Sequence, residues 1–181
     1  MSYKKISIKD IIIIALMAAV ICVLSPFSIT IPISPVPISL ATLAIYLTMM
    51  ILGGTKGTIS VIIYVFLGFI GAPVFTGFSG GVGKVLGPTG GYIIGYIFLA
   101  IISGMFIDNF RSKWMQFLGM VVGTIVLYIF GTLWLAFETS MTFKEALFAG
   151  VIPFIPGDVV KMIIALYAGI KIKNVLNKGN F

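Results

Sequence analysis

The chain has no histidine, a single cysteine (Cys22) and only five acidic residues among its 181. Without histidine it lacks the commonest metal ligand and the commonest general base. One cysteine cannot close an intrachain disulfide and says nothing about redox compartment. Charged residues of both signs make up 9% of the chain and apolar residues 60%, whereas a soluble domain carries about 25% charge. Water is therefore not its solvent. The formal net charge of +7 raises nucleic acid as a partner, but the basic residues fall between apolar blocks and not along one face. The composition is that of an integral membrane protein.

A helix needs roughly 20 apolar residues to cross about 30 Å of hydrocarbon. The apolar blocks predict an all-α, single-domain membrane protein over residues 1–181. Its six transmembrane helices fall near 8–25, 37–53, 56–72, 90–108, 112–137 and 151–172. Lys4-Lys5 ahead of Ile11–Ile14 has the look of a secretory signal, and we read it as the start of the first span. With both termini cytoplasmic, inner segments hold Lys4, Lys5, Lys9, Lys56, Arg111, Lys113, Lys171, Lys173 and Lys178. Outer loops hold Lys84 and Lys144. Nine against two is the asymmetry expected of cytoplasmic loops, and five or seven spans would scramble it.

Three outer connections differ in kind. Ser25–Pro37 is rich in Pro, Ser and Ile, and its prolines predict a broken or extended stretch. Phe143–Phe148 reads as a short amphipathic turn at the interface. Gly71–Tyr92, between the third and fourth helices, contains eight glycines and two prolines yet is too apolar for a solvated loop. Non-helical backbone at membrane depth survives only where protein buries it or where it lines a cavity. We expect it to fold over the outer mouth of the bundle.

Two motifs fail. Gly83-Lys84 is not a P-loop: Phe78 stands where the first glycine belongs, and Val85 where Ser or Thr is needed. No dinucleotide fingerprint has its strand–turn–helix setting. The chain does not itself hydrolyse ATP. Small residues four apart (Ala15/Ala19, Gly87/Gly91, Gly91/Gly95, Ala100/Gly104, Gly119/Gly123) let helices pack closely in lipid. Ala15/Ala19, on the first helix, can serve either internal packing or another subunit.

Asp158 and Lys161 are the decisive pair. Ionisable groups in hydrocarbon cost roughly 2.5–3.5 kcal/mol each on insertion scales and normally face a cavity or a partner. Three residues apart, they share a helical face. Thirteen residues separate Asp158 from Lys171, about 20 Å at 1.5 Å per residue, which places Asp158 in the outer part of the membrane beside the glycine-rich loop. Pro156-Gly157 lets the helix begin or bend there. The bland reading is an ion pair that only orients the last helix. Phe75, Phe78, Tyr92, Tyr96 and Trp134 are candidate cavity walls, with Tyr92 foremost because it follows the turn and offers both ring and hydroxyl.

Gly71-Ala-Pro-Val-Phe75, Gly80-Gly81, Leu86-Gly-Pro-Thr-Gly-Gly-Tyr92 and Pro156-Gly-Asp-Val-Val-Lys161 together resemble the BioY family, biotin-specific substrate-binding (S) components of energy-coupling-factor transporters. The resemblance runs from the first helix to the last. It implies six helices and a biotin pocket near the external face, in the cell membrane. It also implies partnership with a membrane-embedded coupling protein and two cytoplasmic ATPase subunits, with transport by toppling of the S component, and no cofactor, metal or enzymatic step. Carried onto this sequence, it makes Asp158 and Lys161 the leading polar contacts to biotin, with Phe75, Ser79, Gly80, Gly81, Thr89, Gly91 and Tyr92 around them. Ala15 and Ala19 become coupling-protein contacts. The chain departs from some members at Ser79, where they carry Asn, and at Ile93, where they carry Arg. The polar burden then shifts to Ser79, Thr89, Lys84 and Lys161. Competing readings are an S component for thiamin or riboflavin, a small membrane enzyme using Asp158 or Lys161 as acid or base, and a structural or channel role.

Overall fold

In lipid every backbone N–H must find a partner in the protein, and a long apolar run finds them within itself as a helix. The computed structural model describes residues 7–30, 32 and 34–178, with side chains through 176. Expectations for Lys4, Lys5 and the side chain of Lys178 lie outside the described residues. The elements in order are α1 (Ile8–Leu24), β1 (Ser28–Ile29), β2 (Ile38–Ser39), α2 (Ala41–Leu52), α3 (Gly54–Phe69), α4 (Val82–Leu86), α5 (Gly90–Asn109), α6 (Lys113–Thr139), α7 (Phe143–Gly150) and α8 (Ile155–Lys178). The chain is mostly helical. Helices α5 and α6 are each long and apolar enough to cross a membrane, and α7 with α8 qualifies as one span bent by 47°.

Most of the small-residue pairs do what close helix packing requires. A Cβ on Gly91 would lie 2.3 Å from the Trp134 Cβ, one on Gly119 2.3 Å from the Phe106 Cβ, and one on Gly123 2.9 Å from the Leu99 carbonyl oxygen. These positions bring α5 and α6 together. Helix α2 is wedged behind them, its Tyr46 hydroxyl 2.6 Å from Thr124 Oγ1 of α6. Gly53 alone joins α2 to α3 at φ +80°, a conformation open to glycine, and the next amide, Gly54 N–H, donates to Asp108 Oδ1 at 2.9 Å. Ser60 Oγ donates to the Ile14 carbonyl at 3.0 Å, tying α3 to α1.

The second helix starts at Ala41 and not at residue 37 as the apolar run predicts. Residues Ser28–Ile29 pair antiparallel with Ile38–Ser39, so the connection returns on itself as a short ribbon. Pro35 and Pro37 cannot supply helical N–H donors, and Ser39 Oγ accepts from the Ala41 amide at 3.2 Å to start the helix. The glycine-rich segment folds against the end of the bundle. Gly77 N–H donates to the Pro26 carbonyl at 3.0 Å and Gly81 N–H to the Gly68 carbonyl at 2.7 Å. The Phe75 ring inserts edge-on against Tyr64, centroids 5.6 Å apart.

The predicted amphipathic turn is helix α7. It opens with a capping box in which Thr142 and Glu145 satisfy each other's backbone N–H groups. Hydrogen bonds from the Thr142 side chain and backbone hold the Glu145 carboxyl below its ordinary value of 4.5. A depressed folded-state pKa means the cap stabilises fully above the unfolded value and is lost as pH falls through the folded one. Backbone amides of 142 and 145–147, which are bonded within the cap and first turn, are therefore expected to lose hydrogen-exchange protection as pH drops below about 4.5. Thr142→Ala should have the unprotected pattern already at neutral pH; equal protection in both proteins would contradict the cap.

Candidate functional site

Helix α8 begins immediately before Pro156, and its first turn carries Asp158, where the partial positive charge of a helix N-terminus favours a carboxylate. Asp158 and Lys161 face inward on one side of that helix, with side chains only 5% and 12% exposed, and pair at 2.9 Å. Two further helices complete the cluster. Thr42 Oγ1 of α2 donates to Asp158 Oδ1 at 2.9 Å, and the Tyr128 hydroxyl of α6 donates to Asp158 Oδ2 at 2.7 Å. Lys161 Nζ donates to the Ser39 carbonyl at 2.8 Å, to Thr42 Oγ1 at 3.0 Å and to Asp158 Oδ1 at 2.9 Å.

An ammonium has three N–H donors and a carboxylate about four acceptor positions. Lys161 therefore has every donor in use, while Asp158 keeps one acceptor position on Oδ2. A ligand N–H can add to Asp158 directly. A ligand oxygen reaches Lys161 only by displacing one of its present acceptors, and of these the Ser39 carbonyl belongs to the ribbon strand β2.

Above the pair lies a cavity of about 40 Å³ lined by Val36, Pro37, Ser39, Thr42, Tyr92, Tyr96, Leu127, Tyr128, Gly150, Phe154, Asp158 and Lys161. A second, of about 20 Å³, continues beside it past Tyr64, Phe75, Thr76, Thr89 and Ile93 and shares Val36, Pro37, Tyr92 and Tyr96. Pockets that hold drug-sized ligands enclose roughly 300–1,000 Å³, so this space is closed down. Val36 and Pro37, on the stretch leading into β2, line both cavities. A separate apolar groove of about 370 Å³ between α6 and α7–α8 touches Asp158 from the other side. Beyond Asp158 its polar contributors are the hydroxyls of Thr124, Tyr128 and Thr132, too few for a ligand rich in donors and acceptors.

Of the residues the sequence nominated, Phe75, Thr89, Tyr92, Tyr96, Asp158 and Lys161 line the two joined cavities. Tyr92 spends its hydroxyl on the Gly150 carbonyl at 2.9 Å, so its ring is the part presented. Ser79, Gly80 and Gly81 shape the loop behind Phe75: Ser79 bridges Phe75, and a Cβ on Gly80 would sit 2.1 Å from the Ala72 carbonyl oxygen. Gly91 packs against α6, and Trp134 donates to the Gly87 carbonyl at 3.0 Å behind the cavity. Phe78 is exposed, edge-on to Phe27. Ala15 and Ala19 lie on the uncovered face of α1, opposite its buried Ile14, Met17, Ala18 and Ile21. Sequence reasoning missed Thr42, Tyr128 and Ser39; for the first two the signal present is a hydroxyl inside an apolar span, whereas Ser39 acts through its backbone carbonyl, which no side chain announces.

The model of the BioY family matches residues 1–178. The chain belongs to the BioY family. Its relatives include biotin transporter BioY2 of Lactococcus lactis subsp. cremoris, 35% identical over 168 residues that cover 92% of this chain and 91% of the relative. The probable biotin transporter BioY of Pyrococcus horikoshii is 39% identical over 84% of this chain and 89% of its own. Among solved structures, the crystal structure of the S-component for biotin from an ECF-type ABC transporter superposes with a TM-score of 0.85 at 31% identity, covering 96% of this chain and 95% of that one. BioY membership agrees with the resemblance carried by Leu86–Tyr92 and Pro156–Lys161.

Proposed function

We propose that this BioY-family chain is the biotin-binding S component of an energy-coupling-factor transporter. It captures biotin at the outer face of the cell membrane and delivers it inward with a membrane-embedded coupling protein and two cytoplasmic ATPase subunits. The observation that carries this reading is the buried Asp158–Lys161 pair at the floor of an aromatic-walled cavity, in a chain similar throughout to biotin transporters. Six spans with both termini cytoplasmic remain our assignment for the topology, supported by nine basic residues inside against two outside.

The chemistry of the pair fits the ligand. A ureido N–H donates to the open position on Asp158 Oδ2, in a charge-assisted hydrogen bond. Tyr92, Tyr96 and Phe75 cover the apolar ring and chain. We place the point of admission at the Val36–Pro37 stretch, which lifts to let the ligand in. Lifting it draws the Ser39 carbonyl away and frees one Lys161 donor for a ligand oxygen, so capture and exposure of the ammonium are coupled. Biotin brings both kinds of group the pair calls for, a neutral ureido N–H for Asp158 and ligand oxygens for the freed Lys161 donor.

Tyr128 holds the Asp158 carboxylate with its free lone pair toward the cavity. Hydrogen bonds to charged groups contribute about 1.5 kcal/mol, so Tyr128→Phe is expected to weaken biotin binding about tenfold. A lower melting temperature with unchanged affinity would make Tyr128 a structural residue only. The binding role itself is tested by incubating the protein with biotin, isolating the complex and denaturing it. Unchanged biotin released in stoichiometric amount is the expected result; a modified product would favour the enzyme reading.

A further inference from the structure

At the start of α1 and the end of α8, remote from Asp158, lies a groove of about 950 Å³. It is lined by Ile8, Lys9, Asp10, Ile12 and Ile13 of α1, Ile51 and Leu52 of α2, Lys56 of α3, and Lys173 and Leu176 of α8. Its composition is split. Six of these ten residues are aliphatic, and the other four are three lysines and one aspartate. Lys56 is paired with Asp10. Among the described residues the only other ion pair is Lys161 with Asp158, so Lys9 and Lys173 line the groove with no carboxylate of a described residue in salt-bridge range.

We infer that this groove is a binding site for an anionic glycerophospholipid, its phosphate held between Lys9 and Lys173 and an acyl chain lying along Ile8, Ile12, Ile13, Ile51, Leu52 and Leu176. A soluble anion would satisfy the lysines and leave the aliphatic wall bare. A zwitterionic lipid would cover the wall but bring its own ammonium to two lysine ammonium groups. An anionic lipid meets both requirements, and basic pockets between membrane helices recognise such headgroups through their charge. The Asp10–Lys56 pair sets the geometry by tying the start of α1 to the start of α3. Occupancy would link the start of α1, the helix that carries Ala15 and Ala19, to the end of α8. The inference does not depend on the identity of the ligand at Asp158.

Native mass spectrometry of the delipidated protein, titrated with phosphatidylglycerol or phosphatidylcholine of matched chains, tests it. The expected result is at least a fivefold preference for phosphatidylglycerol, falling below twofold in the Lys9→Gln/Lys173→Gln variant, which keeps Lys56 and Asp10. Equal retention of both lipids, or an undiminished preference in the variant, would overturn the site. So would glycerol 3-phosphate competing as well as the whole lipid, because a soluble anion would then be the ligand. Should the double variant fold poorly, phosphatidylglycerol with a photoactivatable acyl chain is expected to label wild-type peptides from α1 or the end of α8. Labelling confined elsewhere would contradict the assignment. Biotin titration of the same samples keeps the two sites separate, since the variant should bind biotin as the wild type does.

Discussion

Asp158→Asn is expected to lower biotin affinity by about 100-fold or more while the protein still elutes as a single monodisperse species. The carboxylate accepts from Thr42, Tyr128 and Lys161 at once, and its remaining acceptor position is the one assigned to the ligand. The amide cannot accept on both sides and leaves the Lys161 ammonium, 12% exposed, without its counter-charge. Removing one member of a buried, hydrogen-bonded charge pair costs about 2–5 kcal/mol, of which some falls on folding and some on binding. The two are separable because melting temperature reports the first and titration the second. Affinity within twofold of wild type would reduce the pair to an orienting device for α8.

The second large effect is placed on α1. Ala15 and Ala19 are exposed between the larger Ile11, Ile12, Leu16 and Val23, which leaves a shallow channel wide enough for a partner helix to approach closely. Replacing both with Trp fills that channel without touching Ile14, Met17, Ala18 and Ile21, which face the core. Energised biotin uptake by cells carrying the coupling and ATPase subunits should fall to background. Biotin binding by the purified variant should stay within twofold of wild type. Normal uptake by the Trp variant would remove this face from the coupling surface.

The legible part of the site was the part encoded locally. Asp158 and Lys161 declare themselves because a spacing of three puts both on one helical face inside an apolar run. Their partners do not, because Thr42 lies 116 residues from Asp158 and Tyr128 lies 30 away; only the tertiary packing of α2, α6 and α8 brings them together. Gly91 carried two readings, ligand approach and helix packing, and its Cβ direction, into Trp134, places it in the packing. The ribbon of β1 and β2 escaped notice since two residues per strand give no alternation to detect. The start of α2 was misplaced for the same reason, as an apolar run reads alike in a strand and in a helix. The start of α8 was legible in Pro156-Gly157, and α7 in the amphipathic run Phe143–Phe148.

The most direct test of the central claim is calorimetric titration of the detergent-solubilised protein, stripped of endogenous ligand, with biotin, thiamin and riboflavin. Saturable binding of biotin at one site per chain, with no heat from the other two, is the predicted result. Saturable binding of thiamin or riboflavin in its place, or no heat from biotin together with no biotin released when the purified protein is denatured, would contradict it.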